Sequence, residues 1–160
     1  MKKLISIKTI KLISFLTLLL ISLAFKQSKE ASCDPKTLKE RAQKELDPFT
    51  YDMSKLTHIA YRSKSTFKEI EAPLFIGEKY RLVFNTEALP KQIIVSVYNR
   101  DKESSKRKLL FTTKGAPADK KFFTFDISFA RKTFIDYEIP ADSTSGGGCI
   151  VFMLGYKVGK

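Results

Sequence analysis

The chain has 160 residues, with 29 Lys and Arg against 17 Asp and Glu for a net charge of +12, one His, two Cys and no Trp. That length suits one domain rather than an enzyme with separate cofactor and substrate halves. Hydrophobic content of 43% and aromatic content of 12% exclude general disorder. One His and two Cys cannot build a His-rich metal centre or a four-thiolate site.

Residues 1–24 read as a secretory signal peptide. Lys2, Lys3, Lys8 and Lys11 precede an unbroken apolar stretch from Leu12 to Phe25, and Ser22 and Ala24 supply the small residues for cleavage after Ala24. The alternatives are a retained N-terminal membrane anchor, for which the run falls short of the roughly 20 apolar residues a bilayer needs, and a lipoprotein attached through Cys33. Lipidation fits poorly, because Glu30 stands where an apolar residue belongs. With the signal removed, four lysines leave, and the mature chain carries +8 of the +12. Outside the cytoplasm that charge points to an anionic envelope glycan, a lipid headgroup or another envelope protein. No basic run with interleaved stacking aromatics suggests nucleic acid, and no integral membrane span remains after cleavage.

Residues 25–55 form a polar lead and one short helix. Asp34 is placed to cap it, Pro35 to open it, and Leu38, Ala42 and Leu46 share one face; Asp47-Pro48 stops it. So short a helix must dock to be stable. In an oxidising compartment Cys33, just ahead of the helix, pairs most simply with Cys149 near the C-terminus. Closing so long a loop is worth about 4–5 kcal/mol in the chain-entropy model. The alternative is a Cys33 used otherwise and a Cys149 buried as a small apolar residue.

From residue 56 to residue 160 the period is two. Phe123, Phe125, Ile127 and Phe129 alternate with Thr124, Asp126 and Ser128, Ile135, Tyr137 and Ile139 alternate with Phe134, Asp136 and Glu138, and Ile93, Val95 and Val97, like Tyr80, Leu82 and Phe84, recur at the same spacing of two. The run from Cys149 to Leu154 does not alternate, which predicts a strand buried on both faces. Weaker segments at Leu56–Arg62, Phe67–Leu74 and Lys108–Thr113 bring the count to about eight. Turn residues at Ile76–Glu78, Ala88–Pro90, Asp101–Lys106, Gly115–Pro117 and Asp142–Gly148 read as hairpin punctuation. The expected fold is all-β, an antiparallel β-sandwich of jelly-roll or Greek-key type with one short N-terminal helix.

Few residues carry chemistry. Ser65 to Lys68 matches S-x-x-K, but on a strand Lys68 does not return to Ser65, and the companion motifs are missing. His58, the only imidazole, has no nucleophile elbow to serve. Glu69 with Glu71, and Asp136 with Glu138, share strand faces and are the candidate acids of a small glycan-active hydrolase, the alternative function. Ser143 to Gly148 opens a strand rather than a helix and lacks the lysine of a phosphate-binding loop, so it reads as a flexible connection letting Cys149 reach Cys33. Arg100, Lys102, Lys106, Arg107 and Lys108 crowd one loop, and Lys120 and Lys121 precede a Phe-rich strand. If the loops gather at one end, both clusters would present positive charge beside Tyr98 or Phe122. The leading expectation is a non-enzymatic binding or assembly module of the cell envelope, without cofactor or metal.

The segments PLFIGEKYRLVF, Pro73 to Phe84, and GCIVFMLGYK, Gly148 to Lys157, resemble small exported bacterial β-sandwich proteins of uncharacterised role. They are also loosely similar to jelly-roll accessory domains, in which a G-x-x-Y turn, here Gly77 to Tyr80, leads into a core strand. The resemblance implies a fold and no activity.

Overall fold

The computed structural model describes residues 33–128 and 132–158; residues 1–24, expected to be a signal peptide, and Phe129 lie outside them. One helix, α1 (Pro35–Lys44), precedes eight strands: β1 (Thr50–Ala60), β2 (Thr66–Pro73), β3 (Glu78–Asn85), β4 (Ile94–Tyr98), β5 (Leu109–Thr112), β6 (Phe122–Ser128), β7 (Lys132–Ile139) and β8 (Gly147–Val158). They form two four-stranded sheets, β1-β8-β3-β6 and β2-β7-β4-β5, and every pairing is antiparallel. The expected β-sandwich is therefore the observed fold.

One boundary and the connections differ from expectation. β1 begins at Thr50 rather than Leu56, because a register shift between Tyr51 and Met53 breaks the alternation that would mark its start. The turn signals do not mark hairpins either, with one exception. Of the consecutive strands only β4 and β5 pair; every other connection carries the chain from one sheet to the other. A turn residue marks where a strand ends, and which sheet the next strand joins is settled by packing.

Inward residues of both sheets fill the core. Tyr80, Leu82 and Phe84 of β3 meet Ile135, Tyr137 and Ile139 of β7 and Val95 and Val97 of β4, and the rings of Phe84, Phe111, Phe125 and Phe152 stack in series. A second layer covers the other face of the first sheet: Leu38, Ala42 and Leu46 pack on Val83, Val151 and Met153. β8 is thus buried on both sides, Ile150, Phe152 and Leu154 inward and Cys149, Val151 and Met153 under the helix, which explains its unbroken apolar run. Asp34 caps α1, accepting from the backbone N–H groups of Lys36 and Thr37. Cys33 and Cys149 are joined in a disulfide that fixes the helix start to β8.

Candidate functional site

The outer face of the second sheet carries most of the polar chemistry. Glu69 on β2 lies opposite Asp136 on β7, Asp136 opposite Ser96 on β4, and Ser96 opposite Thr112 on β5, one row across the sheet. The β4–β5 loop, residues 99–108, folds back over this row. Arg107 Nη2 donates both to Glu69 Oε2 at 2.7 Å and to Asp136 Oδ1 at 2.8 Å, and Nε donates to the Arg100 carbonyl at 3.0 Å. Its guanidinium lies 3.7 Å from the centre of the Tyr98 ring. Burial pushes the Glu69 carboxyl up, the neighbouring Asp136 pushes it further, and Arg107 opposes both.

The loop is closed by its own bonds as well. Lys108 N–H donates to Asn99 Oδ1 at 2.7 Å, Glu103 N–H to Asp101 Oδ1 at 3.0 Å, and Arg107 N–H to the Ser104 carbonyl at 3.1 Å. Arg107 is therefore the brace of the loop and not one of its free charges. Arg100, Lys102, Lys106 and Lys108 remain exposed, and among the described residues none is in an ion pair.

Lys120 and Lys121 do not join them. They belong to the β5–β6 connection, beyond the Thr112 end of β5, whereas the β4–β5 loop lies at the Leu109 end. The two basic clusters sit at opposite ends of the sandwich, because a hairpin and the connection that follows it leave a strand pair at opposite ends. Lys120 instead lies 5.3 Å from the Phe123 ring, beside a cavity of about 350 Å³ that Lys114 and Phe111 also line. Phe122 at the start of β6 is at that far end too.

The other sequence candidates separate in the same way. Glu71 pairs with Lys132 at 3.1 Å, and Glu138 stands exposed two residues beyond Asp136. Ser65 precedes the extended β2, so Lys68 does not turn back to it. Exposed His58 places Nδ1 3.3 Å from Cys149 Sγ, and the donor atoms of Cys33, His58 and Cys149 lie within 4.8 Å of one another. Both sulfurs are bonded to each other, which leaves the imidazole as the one available donor of that set.

The Ser143–Gly148 segment is held rather than free. Asp142 accepts from the backbone N–H of Thr144 and Ser145 and from both hydroxyls, and pairs with Lys91 at 3.1 Å. These bonds hold its carboxyl far below the usual range. A Cβ on Gly148 would run into the Ala88 carbonyl oxygen and come within 2.9 Å of Pro90 Cδ, where Cys149 N–H donates to that same carbonyl.

Sequence reading missed a second cluster. Asp52, Phe75, Glu78, Tyr80 and Tyr156 line a pocket of about 260 Å³. Its only local signal is the pair Phe75 and Ile76, 73% and 64% exposed at the β2–β3 turn, where a soluble surface normally places polar side chains.

No family model and no curated protein matches the chain. A solved structure described as "CBM4 structure and function" is similar over 64% of this chain and 71% of that one, at 16% identity and a TM-score of 0.39.

Proposed function

We propose that the chain is an exported, non-catalytic β-sandwich that binds an acidic glycan of the cell envelope through its β4–β5 loop. One observation carries this reading: Arg107 holds the loop in a set shape on a rigid sheet while Arg100, Lys102, Lys106 and Lys108 stay exposed, in no ion pair among the described residues. A fixed array of cations costs little to organise around a polyanion. The disulfide supports export, since such bonds persist in oxidising compartments.

The hydrolase alternative is less well supported. Glu69 and Asp136 are brought onto the same nitrogen, close enough for a paired-carboxylate mechanism, but the space a sugar would need between them is filled by the guanidinium. Glu71 and Glu138 stand apart from them.

Binding to an immobilised polyuronate, measured across a salt series, tests the proposal. Reversing the four exposed charges to Glu is expected to weaken binding at least about tenfold and flatten its salt dependence. Unchanged binding removes the loop from the reading. Binding to anionic vesicles with none to polyuronate would move the ligand to a lipid headgroup, and polysaccharide cleavage lost in Glu69→Gln or Asp136→Asn would restore the enzyme.

A further inference from the structure

Phe75 and Ile76 are exposed because the turn that carries them stands away from the sandwich: Gly77 adopts φ +94 with open space around it, and Glu78 then starts β3. Phe75 closes one side of the second pocket. Tyr156 and the hydroxyl of its cross-strand neighbour Tyr80, otherwise buried in the core, lie at its base. The register shift in β1 leaves Asp52 outside the regular pairing, and its side chain reaches the same pocket. Tyr80 Oη donates to Glu78 Oε2 at 3.0 Å and accepts from Phe75 N–H at 3.1 Å, so turn, base and carboxylate are one connected unit.

The composition of this pocket is unusual for a chain of net charge +12. Its lining holds two carboxylates, the aromatic side chains of Phe75 and Tyr156, the hydroxyl of the otherwise buried Tyr80 and no basic residue, and among the described residues neither Asp52 nor Glu78 is in an ion pair. Burial raises the Tyr80 hydroxyl pKa, the Phe75 N–H opposes this, and the hydrogen bond to Glu78 with the charges of Glu78 and Asp52 raises it further. Rings attract cations through their negative faces, and carboxylates add direct charge; the two together select a cation with apolar surface over a bare metal ion, which needs six or so oxygens.

We infer that the Asp52–Phe75–Glu78–Tyr80–Tyr156 pocket binds an organic ammonium group, a site separate from the basic loop and independent of its role. A quaternary headgroup and a protonated amine of a sugar or side chain share this chemistry. The cavity of about 260 Å³ admits the head of either and not a whole oligosaccharide.

Titration of the mature protein with choline, with ethanolamine and with the neutral choline analogue 3,3-dimethylbutan-1-ol, followed through the tyrosine ring resonances, tests the assignment. A saturable shift of Tyr80 and Tyr156 is expected with an ammonium, at least about tenfold tighter than with the neutral alcohol. The order of choline and ethanolamine then tells a methylated from a primary amine. Asp52→Asn with Glu78→Gln should remove that preference while the amide spectrum stays native. Equal binding of charged and neutral analogues, undiminished choline binding in the double variant, or no saturable shift with either ammonium would overturn the inference.

Discussion

Arg107→Ala would leave Asp136, with a side chain 6% exposed, beside Glu69 with no cation between them. Removing one partner of a buried charge cluster is strongly destabilising, and the 19% exposure of Glu69 softens it, so a loss of about 2–3 kcal/mol in urea unfolding is expected. Arg107→Lys should recover only part, since an ammonium can replace Nη2 between the two carboxylates but cannot also bond the Arg100 carbonyl through a second nitrogen and stack on Tyr98 as the planar guanidinium does. The carboxylates also respond to pH in opposite senses. Glu69 has a raised native pKa, so it binds its proton more tightly folded than unfolded, and its contribution weakens as pH rises above the ordinary Glu value through the native one. Asp142 is lowered, so its contribution is complete above the ordinary Asp value and is lost as pH falls toward its native pKa. Thermal melts should therefore show Asp142→Asn less stable than the parent at neutral pH, with the gap closing as pH drops below about 4. A constant gap would mean that Asp142 acts through shape and not through charge.

At the scale of elements, the segment from Asp142 to Cys149 shows what local composition can and cannot convey. Three consecutive glycines suggest a slack tether, yet they differ in what they do. Gly146 has nothing within 4 Å of where its Cβ would be, whereas Gly148 lets β8 pass against the Ala88 carbonyl. Gly148→Ala should cost about 1–3 kcal/mol through the forced backbone shift, and Gly146→Ala should be close to neutral, both read from denaturant midpoints. Equal effects would mean that loop entropy, not close approach, sets the need for glycine. α1 behaved as its pattern required: cap, opening proline and four-residue apolar spacing were all visible in the chain, and the face they predict is the one that docks. The β1 start was hidden because a bulge replaces alternation just where the strand begins. The Glu69–Arg107–Asp136 cluster was hidden for another reason: its members are 38 and 29 residues apart, and an acidic residue on an alternating strand has the same signature whether water or a loop covers it.

At the scale of the whole molecule, the disulfide joins residues 116 apart and so closes most of the described chain into one loop. Reduction is expected to lower stability by about 4–5 kcal/mol if the unfolded chain is otherwise unconstrained. Chemical denaturation with and without a dithiol measures it. Because the bond fixes the helix start to β8, protection of α1 amides from exchange should fall first on reduction; uniform loss of protection would place the effect in the unfolded chain alone.

Alternation, capping and the unbroken apolar run of β8 determined the strand count, the sandwich class and the docking helix, because each depends on the period of side chains along a local backbone, and the staple followed from there being two cysteines and no more. Sheet membership was decided only in three dimensions. Each of the seven connections could have been read as a hairpin, and all but the one between β4 and β5 cross to the opposite sheet instead. From this arrangement of the strands in two sheets follow the separation of the two basic clusters, the cover of the Glu69–Asp136 row by the β4–β5 loop, and the meeting of Asp52, Phe75, Glu78, Tyr80 and Tyr156 at one mouth of the sandwich. The chain's own pattern specifies which face of each strand is apolar, whereas the partner of each face is chosen by how two twisted sheets and a helix bury those faces together.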